Sequence, residues 1–188
     1  MLEIITINKD DNKEYNDIHW KDLVIDSFNN FHKQNDYQNE INKNFEEFWN
    51  TLNVEKIHLV LRQNKYIGFF INTYNKINKE ISFKLFSHPR SCPMSLRSIT
   101  KAAIIRVLLE LKLNITDYNT LEFVTWHPSL LQVVKQLIPD VTIHMLNSNY
   151  IIGIKIFSIN EVENINTVVS KYIDITEQYN NDFYKIIY

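Results

Sequence analysis

The sequence predicts an α+β fold, a mixed β-sheet flanked by helices. One domain spans residues 1–159, and residues 160–188 form a C-terminal extension packed on it. Three observations carry this. Between residues 57 and 86 three apolar runs rich in β-branched and aromatic residues are separated by short polar turns, the pattern of an antiparallel meander. Further on, apolar residues recur at helical spacing between more strand-like runs, which gives the mixed order of a sheet with packed helices. The chain is 188 residues long and 45% hydrophobic, with no repeat, low-complexity stretch or linker, so one core is expected.

Ile4-Ile5-Thr6-Ile7 reads as an opening strand closed by the polar run 8–12. From Glu14 to about Lys33, Ile18, Leu23, Val24, Phe28 and Phe31 recur at helical spacing, and the polar cluster 34–39 ends that helix. Ile41, Phe45, Phe48, Trp49 and Leu52 then form one stripe of a second helix. The meander follows: Ile57–Leu61, Tyr66–Tyr74 with Gly68 inside it, and Ile81–Phe86. His88 to Met94 is a loop with two prolines, and Ser95 or Ser98 is expected to cap the next helix. That helix, marked by Ile99, Ala103, Val107, Leu108 and Leu111, is apolar around most of its circumference, so it is expected to be buried. Leu121–Trp126 is a strand, Pro128 suits the first turn of a helix over 129–137, and Pro139 ends it. Two more strands lie at Val141–Leu146 and Tyr150–Ile159. Asn160 is expected to cap a helix carrying Val162, Ile165, Val169 and Tyr172. Residues 176–188 stay ambiguous.

This order, with a helix entered from the third strand of a meander, resembles the GNAT (Gcn5-related N-acetyltransferase) fold over residues 1–159. The family's pyrophosphate motif, Gln/Arg-x-x-Gly-x-Gly/Ala, is matched by Arg97-Ser98-Ile99-Thr100-Lys101-Ala102. Arg97 and Ala102 fit, and Thr100 replaces the central glycine. The resemblance implies acetyl-CoA as cofactor, held at Arg97, Ser98, Thr100, Lys101 and Ala102. Threonine carries a stiff, branched side chain where glycine lets backbone approach a phosphate, so the approach is narrowed. Two further family features are absent. Residues 81–92 hold no carboxylate to act as general base, which leaves His88 as the one candidate. Val134 stands where the family's tyrosine acid is expected, and Ile138 where its following glycine would be.

Charge is segregated along the chain: residues 1–50 carry a net −6 and residues 51–109 a net +8, within a whole-chain net of −2. The basic region 84–106 is either a solvated face or a site for an anionic ligand or nucleic-acid backbone around Arg90, Arg97 and Lys101. The acidic N-terminal helices are either ordinary surface or a docking face for a basic host protein. His88 and Cys92 lie four apart with no second ligand pair, so no metal site is expected. Trp126-His127 at the end of a strand is read as core packing and a helix cap in preference to a ligand contact. One cysteine and no apolar run of about 18 residues point to the cytoplasm and away from membranes. Only two glycines and two alanines are present, against abundant Asn, Ile and Lys, the mark of an AT-rich coding sequence such as a phage's.

Two functions follow. With Thr100, Val134 and the absent carboxylate departing together, the first is a catalytically degenerate GNAT-like protein that binds a host macromolecule. A phage inhibitor of host transcription, acting on RNA polymerase or a sigma factor in the host cytoplasm, is the example. The alternative is an acetyl-CoA-dependent N-acetyltransferase with an atypical pyrophosphate loop.

Overall fold

The computed structural model describes residues 2–8, 14–15, 18–34, 50, 56–90, 93–114, 116–125, 128–145, 151–164 and 183–186. Ten strands and four helices are described: β1 Leu2–Asn8, β2 Glu14–Tyr15, β3 Ile18–His19, α1 Trp20–Gln34, β4 Lys56–Arg62, β5 Lys65–Asn75, β6 Glu80–Ser87, α2 Pro93–Leu113, β7 Thr120–Thr125, α3 Pro128–Leu137, β8 Thr142–Met145, β9 Ile151–Ile156, α4 Ile159–Glu163 and β10 Phe183–Ile186. Eight strands form one mixed sheet in the order β10-β1-β4-β5-β6-β7-β9-β8, and β2 and β3 pair separately. All neighbours in the large sheet are antiparallel except β6 and β7. The strand crossing from β6 to a parallel β7 needs a long connection, and α2 supplies it.

The two faces of the sheet bury different residues, as the period of two requires. On one face Leu2, Ile4, Val60, Phe70, Ile81 and Leu121 pack against α2 and α3, including Ile99, Ala103, Val107 and Val134. On the other, Ile7, Ile57, Leu59, Phe69, Ile71 and Phe86 pack against Trp20, Val24 and Phe28 of α1. α2 is buried around most of its girth, in line with its unbroken apolar composition, and even Arg106 and Glu110 lie inside it as an i,i+4 ion pair at 2.9 Å.

Several expectations change. Residues 14–19 form the short β2/β3 pair, and α1 begins only at Trp20. The helix cap assigned to Ser95 or Ser98 is displaced, because α2 starts at Pro93 and both serines are buried within it. Proline suits that first turn, where its absent N–H would have no partner in any case. At α4 the cap is Ser158 instead of Asn160. The Ser158 hydroxyl accepts from the Glu161 N–H (3.3 Å) and the Glu161 carboxylate accepts from the Ser158 N–H (2.8 Å), a reciprocal capping box. The ambiguous C-terminus contributes β10, antiparallel to β1. The stripe at 41–52, apart from Asn50, lies outside the described residues, as do Cys92, Trp126, His127, Ile165, Val169 and Tyr172.

Candidate functional site: the parting of β6 and β7

β6 and β7 pair over three residues only, Glu80 with Thr120, Ile81 with Leu121 and Ser82 with Glu122. Beyond Ser82, β6 continues to Ser87 paired with β5 alone, and β7 continues to Thr125 paired with β9 alone. The strands therefore part into a wedge with its vertex at Ser82 and Glu122. Past that vertex the β7-facing backbone groups of β6 have no strand partner among the described residues, an edge to which an extended ligand can add its own hydrogen bonds. Immediately above the vertex Phe83 and Phe123 stack across the gap, with ring centroids 6.2 Å apart and planes 11° from parallel. Phe123 reaches this position because it lies over Gly153 of β9, where an added Cβ would sit 2.1 Å from its ring. Phe86 does not enter the wedge. It is buried on the α1 face, stacked on Phe69 at 4.5 Å.

β6 leads from the open end of the wedge to the N-terminus of α2, which begins at Pro93. The run 97–102 stands one turn further in. The amides of Ser98, Thr100, Lys101 and Ala102 belong to the helix ladder, and the Thr100 hydroxyl donates to the Leu96 carbonyl at 2.8 Å. The Thr100 and Ala102 side chains are buried. Arg97 is exposed and donates to the Gln132 side-chain oxygen of α3 at 3.3 Å, which ties the guanidinium between the two helices. Lys101 lies one turn along, half-buried, and burial lowers its ammonium below the ordinary lysine range. Arg97 and Lys101 thus stand one turn apart on α2, while Arg90 lines a cavity described below. Val134 is fully buried between α3 and the sheet and Ile138 nearly so, leaving no acid at either position.

His88 stands apart from the vertex. It follows the end of β6, six residues beyond Ser82, a span of about 20 Å at the usual rise of a strand. Its Nδ1 accepts from the Arg90 N–H at 3.3 Å, and its Nε2 is 3.9 Å from the Asp26 carboxylate. Burial and the Arg90 charge lower its pKa, against the opposing pull of Asp26. Its Nδ1 lone pair is already directed at a backbone amide.

A carboxylate is nonetheless present at the vertex. Glu122 of β7 faces Ser82 in register, and Glu80 is its diagonal neighbour on the same face. Burial, and then the Glu122 charge, raise the Glu80 carboxyl above its usual range. Ser82 also shares a hydrogen bond of 2.5 Å with Thr73 of β5. Residues 81–92 hold no acid, but the parallel neighbour strand supplies one. The signal in the sequence is Glu122 interrupting the apolar run Leu121-Phe123-Val124.

No protein-family model matches the sequence, and no curated protein does. Solved structures do match in fold. A spermidine N-acetyltransferase from Vibrio cholerae in complex with CoA and spermine aligns with a TM-score of 0.52 at 15% identity, covering 81% of this chain and 95% of that one. The fold is that of the GNAT acetyltransferases. A chimera built on the V. cholerae spermidine N-acetyltransferase covers 86% and 99% (TM-score 0.52, 12% identity), and an acetyltransferase from Streptococcus agalactiae covers 82% and 98% (TM-score 0.50, 12% identity). These likenesses support the GNAT-like reading of the order of elements and give no support to a phage host-takeover role. No helix among the described residues is long and apolar enough to cross a membrane.

Proposed function

We propose that this GNAT-fold protein is an acetyl-CoA-dependent N-acetyltransferase, the reading ranked second on sequence, and not a degenerate binder. The observation that carries it is the parting of β6 and β7 beside the N-terminus of α2. A binder that had lost the cofactor would have no need to hold β6 and β7 apart, when among the described residues their pairing stops at Ser82 and continued pairing would satisfy more backbone groups. The chain's residues fit the cofactor. The positive end of α2, with Arg97 and Lys101 on its exposed side, suits a pyrophosphate, and the edge of β6 past Ser82 suits the amide-bearing pantetheine arm. When bound, acetyl-CoA would supply an activated thioester carbonyl.

The chain's own contribution is then position and proton transfer. The Phe83–Phe123 pair bounds the wedge from the helix side and limits how deep a thioester can sit. Glu122, at the vertex, is the general base: it takes a proton from the acceptor's ammonium group, and the freed nitrogen lone pair attacks the carbonyl carbon. With acetyl-CoA bound, ammonium and thioester would give one amide, one thiol and one released proton, the proton passing through Glu122. Glu80 and Glu122 together favour a cationic amine on this face.

Incubation with acetyl-CoA and a panel of cationic primary amines, followed by thiol release, tests this. Acetyl transfer is expected, with kcat lowered about 100-fold by Glu122→Gln, and its acid limb removed from the pH profile. Absence of transfer to every amine, or a Glu122→Gln variant as active as the native chain, contradicts the proposal.

A further inference from the structure

The α1 side of the molecule holds a second cavity, of 580 Å³, within the size range of small-molecule sites. It is walled by α1, the β4–β5 turn, the loop after β6 and the start of α2, and it lies at the far end of β6 from the Glu122 vertex. Its charges are sorted by wall. Asp22 and Asp26 project from α1, while Arg62 and Lys65 come from the β4–β5 turn and Arg90 from the loop after β6. Among the described residues, no ion pair joins any of these three cations to a carboxylate. Leu23, Ile67 and the Tyr66 ring supply apolar surface between the two walls.

The walls are held in place independently of any ligand. The Tyr66 hydroxyl is hydrogen-bonded to Ser27 (2.9 Å) and the Leu23 carbonyl (3.3 Å), fixing the turn's strand to α1. His88 packs edge-on against Tyr66, and its N–H donates to the Ile67 carbonyl at 2.9 Å, fixing the loop. The turn itself places Gln63 and Asn64 at φ of 52° and 59°, the paired left-handed geometry of a tight hairpin. Asparagine tolerates that geometry and glutamine pays for it, so the turn projects Arg62 and Lys65 side by side at a small conformational cost.

We propose that this cavity binds a small zwitterion, with its ammonium group against Asp22 and Asp26 and its carboxylate or phosphate against Arg62, Lys65 and Arg90. Charges of one sign would point to a simple ion. Carboxylates from α1 and cations from the β4–β5 turn and the loop after β6, in one cavity with Leu23, Ile67 and Tyr66, match a molecule carrying both charges on a short hydrocarbon spacer. Through Ser95 the cavity borders the start of α2, but none of its charged residues has been given a part in acetyl transfer, so the proposal does not depend on that activity.

The test is thermal shift and calorimetry on the full chain with four probes at about 10 mM, chosen to detect weak sites. They are phosphoethanolamine, γ-aminobutyrate, inorganic phosphate and putrescine. At least one zwitterion is expected to raise Tm by more than phosphate and putrescine do together, and which of the two does so identifies phosphate or carboxylate. Asp22→Asn with Asp26→Asn, and separately Arg62→Gln with Lys65→Gln, are each expected to weaken that binding at least about tenfold. All four positions are at or near the surface, and the unliganded Tm of each variant reports folding. Equal shifts from inorganic phosphate and the zwitterions, unchanged by the aspartate substitutions, would reduce the cavity to an anion site. Equal shifts from putrescine, unchanged by the cation substitutions, would reduce it to a cation site. Either result, or no response to any probe, overturns the proposal.

Discussion

At the residue scale the two glycines show why composition alone misleads. Gly68 sits at the bulge in the β4–β5 pairing with φ of 152°, and an added Cβ would meet the Phe86 carbonyl oxygen at 2.2 Å and Ile99 at 2.6 Å. Gly153 instead makes room for the Phe123 ring. One answers to backbone and the other to packing, and neither serves a phosphate. Gly68→Ala is expected to cost about 3 kcal/mol or more, because carbonyl and dihedral both resist, and Gly153→Ala less, because a ring can shift. Urea melts of the two variants check the order, and a cheaper Gly68→Ala contradicts it. His58 gives a second residue-scale prediction. It is buried beside Phe70, with its Nδ1 2.9 Å from the Thr6 hydroxyl, and burial, then Arg106 and Lys56, lower its pKa well below 6.5. The unfolded chain takes up that proton near the ordinary value and the folded chain does not. Stability is therefore full above about pH 6.5 and falls by about 1.4 kcal/mol per pH unit below it, until the folded pKa is reached. His58→Gln should remove one proton's worth of that slope in urea melts between about pH 7.5 and 5, and an unchanged slope would refute this. None of this was legible beforehand: His58 lies in an apolar run, and only the register Thr6–His58–Phe70 gives it a partner and a ring.

At the element scale α2 carries the sharpest departure from expectation. Its apolar girth was readable, and so was its burial. Its start was not, since Ser95 and Ser98 are good caps on paper, while Pro93 opens the helix and draws both serines inside. With the helix opening at Pro93, the whole run 97–102 lies within it. The same helix buries Arg106 and Glu110, and the Glu110 carboxylate also accepts from the Tyr74 hydroxyl. Burial, then the Glu110 charge, raise the Tyr74 pKa, so the phenol stays protonated and donates. Breaking a buried pair leaves an uncompensated charge. Glu110→Leu alone is expected to cost about 3–5 kcal/mol, and Arg106→Met added to it to restore most of that loss. Denaturant midpoints of the two single variants and the double close this cycle, and simple additivity would show the pair is not coupled. α1 was misread at its start for a related reason. Ile18 fits the helical stripe by spacing, yet it pairs with Tyr15 in a two-residue strand.

At the scale of the whole molecule, the meander, the crossover helix and the final strand pair were all legible, because each repeats a period of two or 3.6 over several residues. The single parallel contact was legible only through its long connection. The wedge was not, because parting of strands leaves no mark in either strand's own pattern. Nor was the acid at its vertex, which becomes visible only once Glu122 is placed across from Ser82. The charge segregation along the chain also resolves in three dimensions. Arg97 and Lys101 stand one turn apart on α2, and Arg62, Lys65 and Arg90 line one cavity together with Asp22 and Asp26. The central claim is that the wedge between β6 and β7 receives acetyl-CoA. Calorimetric titration of the full chain with acetyl-CoA tests it most directly. Binding with Kd on the order of 10 µM, weakened at least about tenfold in an Arg97→Ala, Lys101→Ala variant of unchanged Tm, is the predicted result. No heat of binding up to about 1 mM acetyl-CoA, or full affinity in that variant, would contradict it.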